Sequence, residues 1–188
     1  MRYLEDDERE RFFEACRSSS NHDLYLAVVL AISTGMRKGE LMGLSWRDVN
    51  LKDHYIVLHK TKNGERRRVP VKSHALELLI ERSKVRRLDT PLLFPGIATP
   101  ASPIDLRSAF RRASRAAQLD DFRWHDLRHC TASYLAMNGS TPSEIAELLG
   151  HKTLQMVKRY AHLSDSHNSK VLESMNDKVF GNIKGIKA

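Results

Sequence analysis

The stretch Trp124-His125-Asp126-Leu127-Arg128-His129-Cys130 holds two histidines four residues apart, with an acid after the first and an arginine before the second. On a helix His125 and His129 share a face, as in a zinc site whose neighbouring acid serves as base. That chemistry needs a third protein ligand and a glutamate, and Arg128 would oppose a metal cation. The competing chemistry is a phosphate clamp in which His125 and Arg128 aim hydrogen-bond donors at one anion. For His129 the ordinary role is packing in a core.

Three other stretches bear on the choice. "STGMRKGEL" puts Arg37 at a helix start just after a glycine break, with Glu40 one turn on, where it can orient the guanidinium. Taken alone, such a pair is usually a solvated surface ion pair. Lys62 in "KTKNGERRRVP" reads by itself as an exposed turn lysine. "LLGHKTLQMVKRYAHL" carries His151 after a helix-ending glycine, and Tyr160 nine residues on, beside Lys158 and Arg159. Tyr25, Tyr55 and Tyr134 sit among apolar neighbours and read as packing residues, whereas Tyr160 does not read as a packing residue alone.

Taken in order, "TGMRKGEL", "TKNGERRRVPV", "HDLRH", "LLGH" and "VKRYAHL" resemble the successive boxes of the tyrosine recombinase (phage integrase) family, from Tyr3 to about Ser164. The resemblance implies catalytic roles for Arg37, Lys62, His125, Arg128, His151 and Tyr160, with Tyr160 the nucleophile. The chemistry fits the set. A phosphodiester under attack gains negative charge that two arginines and a histidine can absorb. A tyrosine hydroxyl is only about a thousandth ionised at pH 7. It needs nearby cations and a proton acceptor, for which His125 is the candidate, while Lys62 can protonate the departing 5′-oxygen. No cofactor and no metal is required, because bond energy is kept in a 3′-phosphotyrosyl link.

The implied function is therefore site-specific DNA recombination, integration or excision, by a DNA strand transferase. The implied partners are double-stranded DNA, further copies forming a homotetramer on it, and DNA-bending accessory proteins. Two rivals remain on the sequence: a type IB topoisomerase-like enzyme that relaxes supercoils, and a DNA-binding helix-turn-helix without catalysis, since "PSEIAELLGHKTLQMVKRY" places Ala146 and Gly150 four apart as that motif prefers. Family members usually carry a helical domain before the catalytic one, and Met1 lies close to the first helix here, which favours an excised fragment over a minimal protein.

The elements that must position these residues are mostly helices. Apolar spacing predicts helices over Glu5 to Arg17, Asp23 to Ser33, a short one through "RKGELMGL", then Ser73 to Arg87, Pro103 to Gln118, His125 to Met137, Thr141 to Leu149 and Thr153 to Tyr160. "HYIVLHK" and "ERRRVPV", joined through Asn63-Gly64, predict a hairpin. The expected fold is α+β, mainly helical with a small antiparallel sheet: the tyrosine recombinase catalytic-domain fold over residues 1–164. Residues 165–188 read as a tail whose apolar Val171, Leu172, Met175 and Val179 pack on a neighbouring subunit or on their own domain, after a polar hinge "SDSHNS".

Composition agrees with this assignment. The net charge is +8, and acids crowd the first fourteen residues (Glu5, Asp6, Asp7, Glu8, Glu10, Glu14), so the remainder is more basic still and suits a polyanion. Two cysteines, Cys16 and Cys130, are too few for a disulfide framework. The acidic start is unlike a signal peptide, and the apolar run Leu24 to Ile32 is too short for a bilayer. A cytoplasmic location with no membrane partner is expected.

Overall fold

The computed structural model describes residues 2–59, 66–151 and 153–180, with a few side chains between 164 and 170 set aside. It divides into two compact units, residues 1–131 and 132–188, and the boundary falls inside one helix. The architecture is mainly α-helical with one three-stranded antiparallel sheet. No described helix is long and apolar enough to cross a membrane.

In the first unit, α1 (Asp6–Arg17) begins where the Glu8 carboxylate takes the Glu5 backbone N–H at 3.1 Å, a reciprocal acid cap on the positive helix end. Its Phe12 is fully buried and meets Phe110 and Phe122 edge-on at 5.5 and 5.3 Å. α2 (Asp23–Thr34) is apolar almost all round, from Leu24 through Ala31, and is the buried centre of this unit. It stops at Gly35, whose φ of 61° is the left-handed cap a Cβ would disfavour. α3 (Lys38–Met42) follows immediately.

A single 3-10 turn, Trp46–Asp48, leads into β1 (Val49–Asn50), which pairs with β2 (Tyr55–Leu58), itself paired with β3 (Arg67–Pro70). Ile56 opposes Val69 and Leu58 opposes Arg67. Alternation buries Ile56, Leu58 and Val69. The turn with Asn63-Gly64, and Lys62 with it, lies outside the described residues. α4 (Ser73–Lys84) is tied to α2 by an Arg82–Asp23 ion pair at 2.8 Å, and α5 (Arg107–Ala116) packs its Ala109, Phe110 and Ala113 face on α1. α6 (Asp126–Met137) starts in this unit and ends in the next.

The second unit gathers Ala132 and Ala136 of α6, Ile145, Ala146 and Leu149 of α7 (Pro142–Leu149), and Val157 and Tyr160 into one buried cluster. α7 is entered by a Thr141 cap that Glu144 reciprocates. It is closed by Gly150 (φ 64°) with the His151 N–H returning to the Ala146 carbonyl at 2.8 Å. The chain then departs from the expected helix over Thr153 to Tyr160: two 3-10 turns, Leu154–Met156 and Lys158–Ser164, take its place. A three-residue period aligns Val157, Tyr160 and Leu163 on the inward face. With 3-10 turns where the second α-helix of the motif would lie, the helix-turn-helix reading of this stretch is not favoured. α8 (Asp165–Phe180) runs straight through the stretch expected to be a polar hinge. His167 seats this helix against Gly139, where a Cβ would meet the imidazole.

Candidate phosphate site

Arg37 is the residue from which α3 starts. Its backbone N–H donates to Glu40 Oε2 and its Nη1 to Glu40 Oε1, both at 2.9 Å. Glu40 is almost wholly buried, with 7% of its side chain exposed, while Arg37 keeps 25%. The pair is therefore a fixed bracket rather than a solvated surface contact, because backbone and side chain of the same arginine grip one desolvated carboxylate.

Arg128, buried in the first turns of α6, donates Nη1–H to the Gly35 carbonyl at 2.5 Å. Helix α6 is pinned to α2 once more where Thr131 Oγ1 donates to the Ile32 carbonyl at 2.7 Å. The two arginines thus meet at one turn, Gly35 to Arg37, one through its backbone and the other through its side chain. Lys38 adds a third link, its ammonium lying 5.6 Å from the centre of the Trp124 ring.

His125 is exposed, close enough to Arg128 and Arg37 to feel their charges, and perpendicular to the His129 ring at 4.9 Å. Desolvation, then the positive charges of Arg128 and Arg37, lower its pKa against the opposing pull of Asp126. A neutral imidazole held beside two cations can take a proton, as a base for a hydroxyl must. Behind it Cys130 is buried. Among the described residues no group of three or more His, Cys, Asp or Glu could hold a metal ion.

His151 and Tyr160 belong to the second unit. His151 follows the Gly150 cap and is half-buried. Tyr160 is 3% exposed and is part of the cluster of Ile145, Leu149 and Val157. Tyr160 is more buried than its neighbours in sequence suggest: Tyr25, Tyr55 and Tyr134, read as packing residues, are half-buried, and Tyr160 is buried. Its charged neighbours misled, because on a 3-10 turn Lys158 and Arg159 face water while the third residue faces inward.

A model of the phage integrase family matches residues 2–167. The chain belongs to the phage integrase family. Among its relatives are the integrase of Salmonella phage P22, 27% identical over 96% of this chain and 48% of that protein, and the shufflon-specific DNA recombinase of Escherichia coli, 31% identical over 86% and 40%. The tyrosine recombinase XerC of Xanthomonas axonopodis pv. citri (strain 306) is 34% identical over 78% and 49%. This phage integrase family chain spans about half the length of the curated relatives it matches. Its fold is that of the catalytic domain of bacteriophage HP1 integrase, with a TM-score of 0.71 at 27% identity over 92% of this chain and 94% of that one. The XerA recombinase structure matches with a TM-score of 0.74 at 26% identity over 95% and 63%.

One further arginine of this phage integrase family chain, not singled out by the sequence, lies against the Arg37–Glu40 pair. Arg67 on β3 brings Nη2 to 3.5 Å from Glu40 Oε2. Its burial, and next the Arg37 charge, lower its pKa, with Glu40 pulling the other way. The signal was present in "ERRRVPV": a period of two puts Arg67, Val69 and Val71 on the inward side and Arg66 and Arg68 in water.

Proposed function

We propose that this chain is the catalytic part of a site-specific tyrosine recombinase that cleaves and rejoins double-stranded DNA. The observation that carries the reading is the convergence of Arg37, Arg128 and His125 on the Gly35 turn, within a chain matched by the family model over residues 2–167. In this reading Arg37 and Arg128 bind the non-bridging oxygens of one phosphate, and His151 adds a donor. Tyr160 Oη attacks phosphorus as His125 takes its proton. The bond from phosphorus to the 5′-oxygen breaks, and Lys62 supplies the proton that the leaving oxygen needs. A 5′-hydroxyl from a second strand reverses the step and regenerates the tyrosine. Each arginine removed costs about 100- to 1,000-fold in rate, the usual magnitude for a preorganised donor at a developing charge.

The partners follow from the same reading: double-stranded DNA, and a homotetramer assembled on it, with DNA-bending proteins as accessories. In α8 the side chains of Val171, Leu172, Met175 and Val179 are 43–56% exposed, an apolar stripe that a neighbouring subunit can bury. Residues 165–188 are then a tail acting in trans beside a catalytic domain of residues 1–164. Strand exchange between two copies of a binding site selected from random-sequence DNA tests the function. Exchanged products are expected, and relaxation of supercoils without exchange would point to a topoisomerase instead.

A further inference from the structure

The buried Glu40 carboxylate faces two guanidiniums from different parts of the fold. Arg37 of the α3 start takes Oε1 with its side chain and Oε2 with its backbone N–H, and Arg67 of β3 approaches Oε2 at 3.5 Å. Arg67 and Glu40 side chains keep only 15% and 7% of their exposure. A guanidinium withdrawn from water is retained where a carboxylate faces it, and Glu40 faces Arg67 as well as Arg37. The pKa of Arg67 is lowered by burial first and by the like charge of Arg37 as well, against the pull of Glu40.

Resting on the phosphate-site reading above, we propose that Arg67 is a positioning residue of that site. It holds the Glu40 carboxylate in the orientation that brackets Arg37, so that the Arg37 guanidinium is presented to the phosphate in one fixed direction. The strand that bears Arg67 thereby reports its placement to the α3 start through one carboxylate, and a shift of β3 would loosen Arg37 without touching it.

The test compares the whole chain with Arg67→Lys and Arg67→Gln in single-turnover cleavage of a nicked duplex, with DNA affinity measured separately. Wild-type chain that forms no covalent adduct would sink the phosphate-site reading before any variant is compared. Given wild-type cleavage, Arg67→Gln is expected to slow the cleavage step at saturating DNA by about tenfold or more while its Kd moves by less than about threefold. Arg67→Lys, which restores the charge, is expected to recover most of that loss. The proposal is overturned if Arg67→Gln cleaves like wild type, if Arg67→Lys loses as much as Arg67→Gln, or if the loss lies wholly in Kd. An Arg67→Gln chain that has lost its folded circular dichroism at 25 °C would overturn it too, by making Arg67 a support of the core.

Discussion

Arg128 holds the carbonyl of Gly35 with its own side chain, 93 residues away in sequence and 2.5 Å away in space. That carbonyl sits at the left-handed cap of α2, two residues before Arg37. The contact brings the start of α6 onto the turn that leads into α3. Arg128→Ala is expected to lose cleavage by about 100-fold or more. It should also cost about 1–3 kcal/mol of stability, since the carbonyl loses a buried charged donor. Nicked-duplex cleavage and urea unfolding read the two effects separately, and a loss of stability without a loss of cleavage would leave Arg128 as a structural arginine.

His125 is expected to titrate below its ordinary value of 6.5 in the DNA-free chain, because desolvation and the charges of Arg128 and Arg37 disfavour the imidazolium. The folded chain therefore binds fewer protons than the unfolded chain across that window. The contribution to stability is fully present above 6.5 and is lost as pH falls through the lower folded value. NMR titration of the His125 ring checks the direction. Binding of a phosphate-bearing duplex should raise the value by adding negative charge, and a ring unmoved by DNA would place the phosphate elsewhere.

Gly139 has φ 83°, and the His167 imidazole occupies the space its Cβ would need. Gly139→Ala should destabilise the second unit by about 1–3 kcal/mol through backbone strain and the displaced ring. Adding His167→Ala should relieve the crowding and leave the strain, so the double variant should melt between Gly139→Ala and wild type. Equal melting of both variants would mean that His167 does not seat the helix there.

The stripe on α8 gives a test of assembly. Val171, Met175 and Val179 line a shallow groove with His167, Ser174 and Lys178. Met175→Asp with Val179→Asp alters side chains that are already half-exposed, and surface changes of this kind usually cost under about 0.5 kcal/mol. The expected outcome is a chain that melts as before and cleaves a single site, with two-site complexes reduced in gel shift. Two-site assembly at the wild-type level would make the stripe irrelevant to it.

Much of this architecture was legible in the sequence for local reasons. Gly35 and Gly150 end helices where they were expected to, and the β-branched run in "HYIVLHK" marked β2. The failures have separate causes. Periodicity at 3.6 and at 3 residues is hard to separate over a run as short as Thr153 to Tyr160, so the 3-10 turns were read as a helix. The burial of Tyr160 was hidden by its charged flanks. Polar "SDSHNS" was read as a hinge because the Gly139 notch that accepts His167 lies a full α7 away in sequence. Arg67 was passed over as one of three adjacent arginines, although strand alternation singles it out.

The central claim is that Tyr160 carries the covalent chemistry, and peptide mapping of a trapped adduct tests it most directly. The chain is incubated with a nicked duplex that loses its short 5′-hydroxyl fragment on cleavage, digested, and sequenced by mass spectrometry alongside Tyr160→Phe. The account expects the DNA 3′-phosphate on Tyr160 alone, with Tyr160→Phe binding the duplex as wild type does and forming no adduct. An adduct on any other residue, or one that persists in Tyr160→Phe, would contradict it.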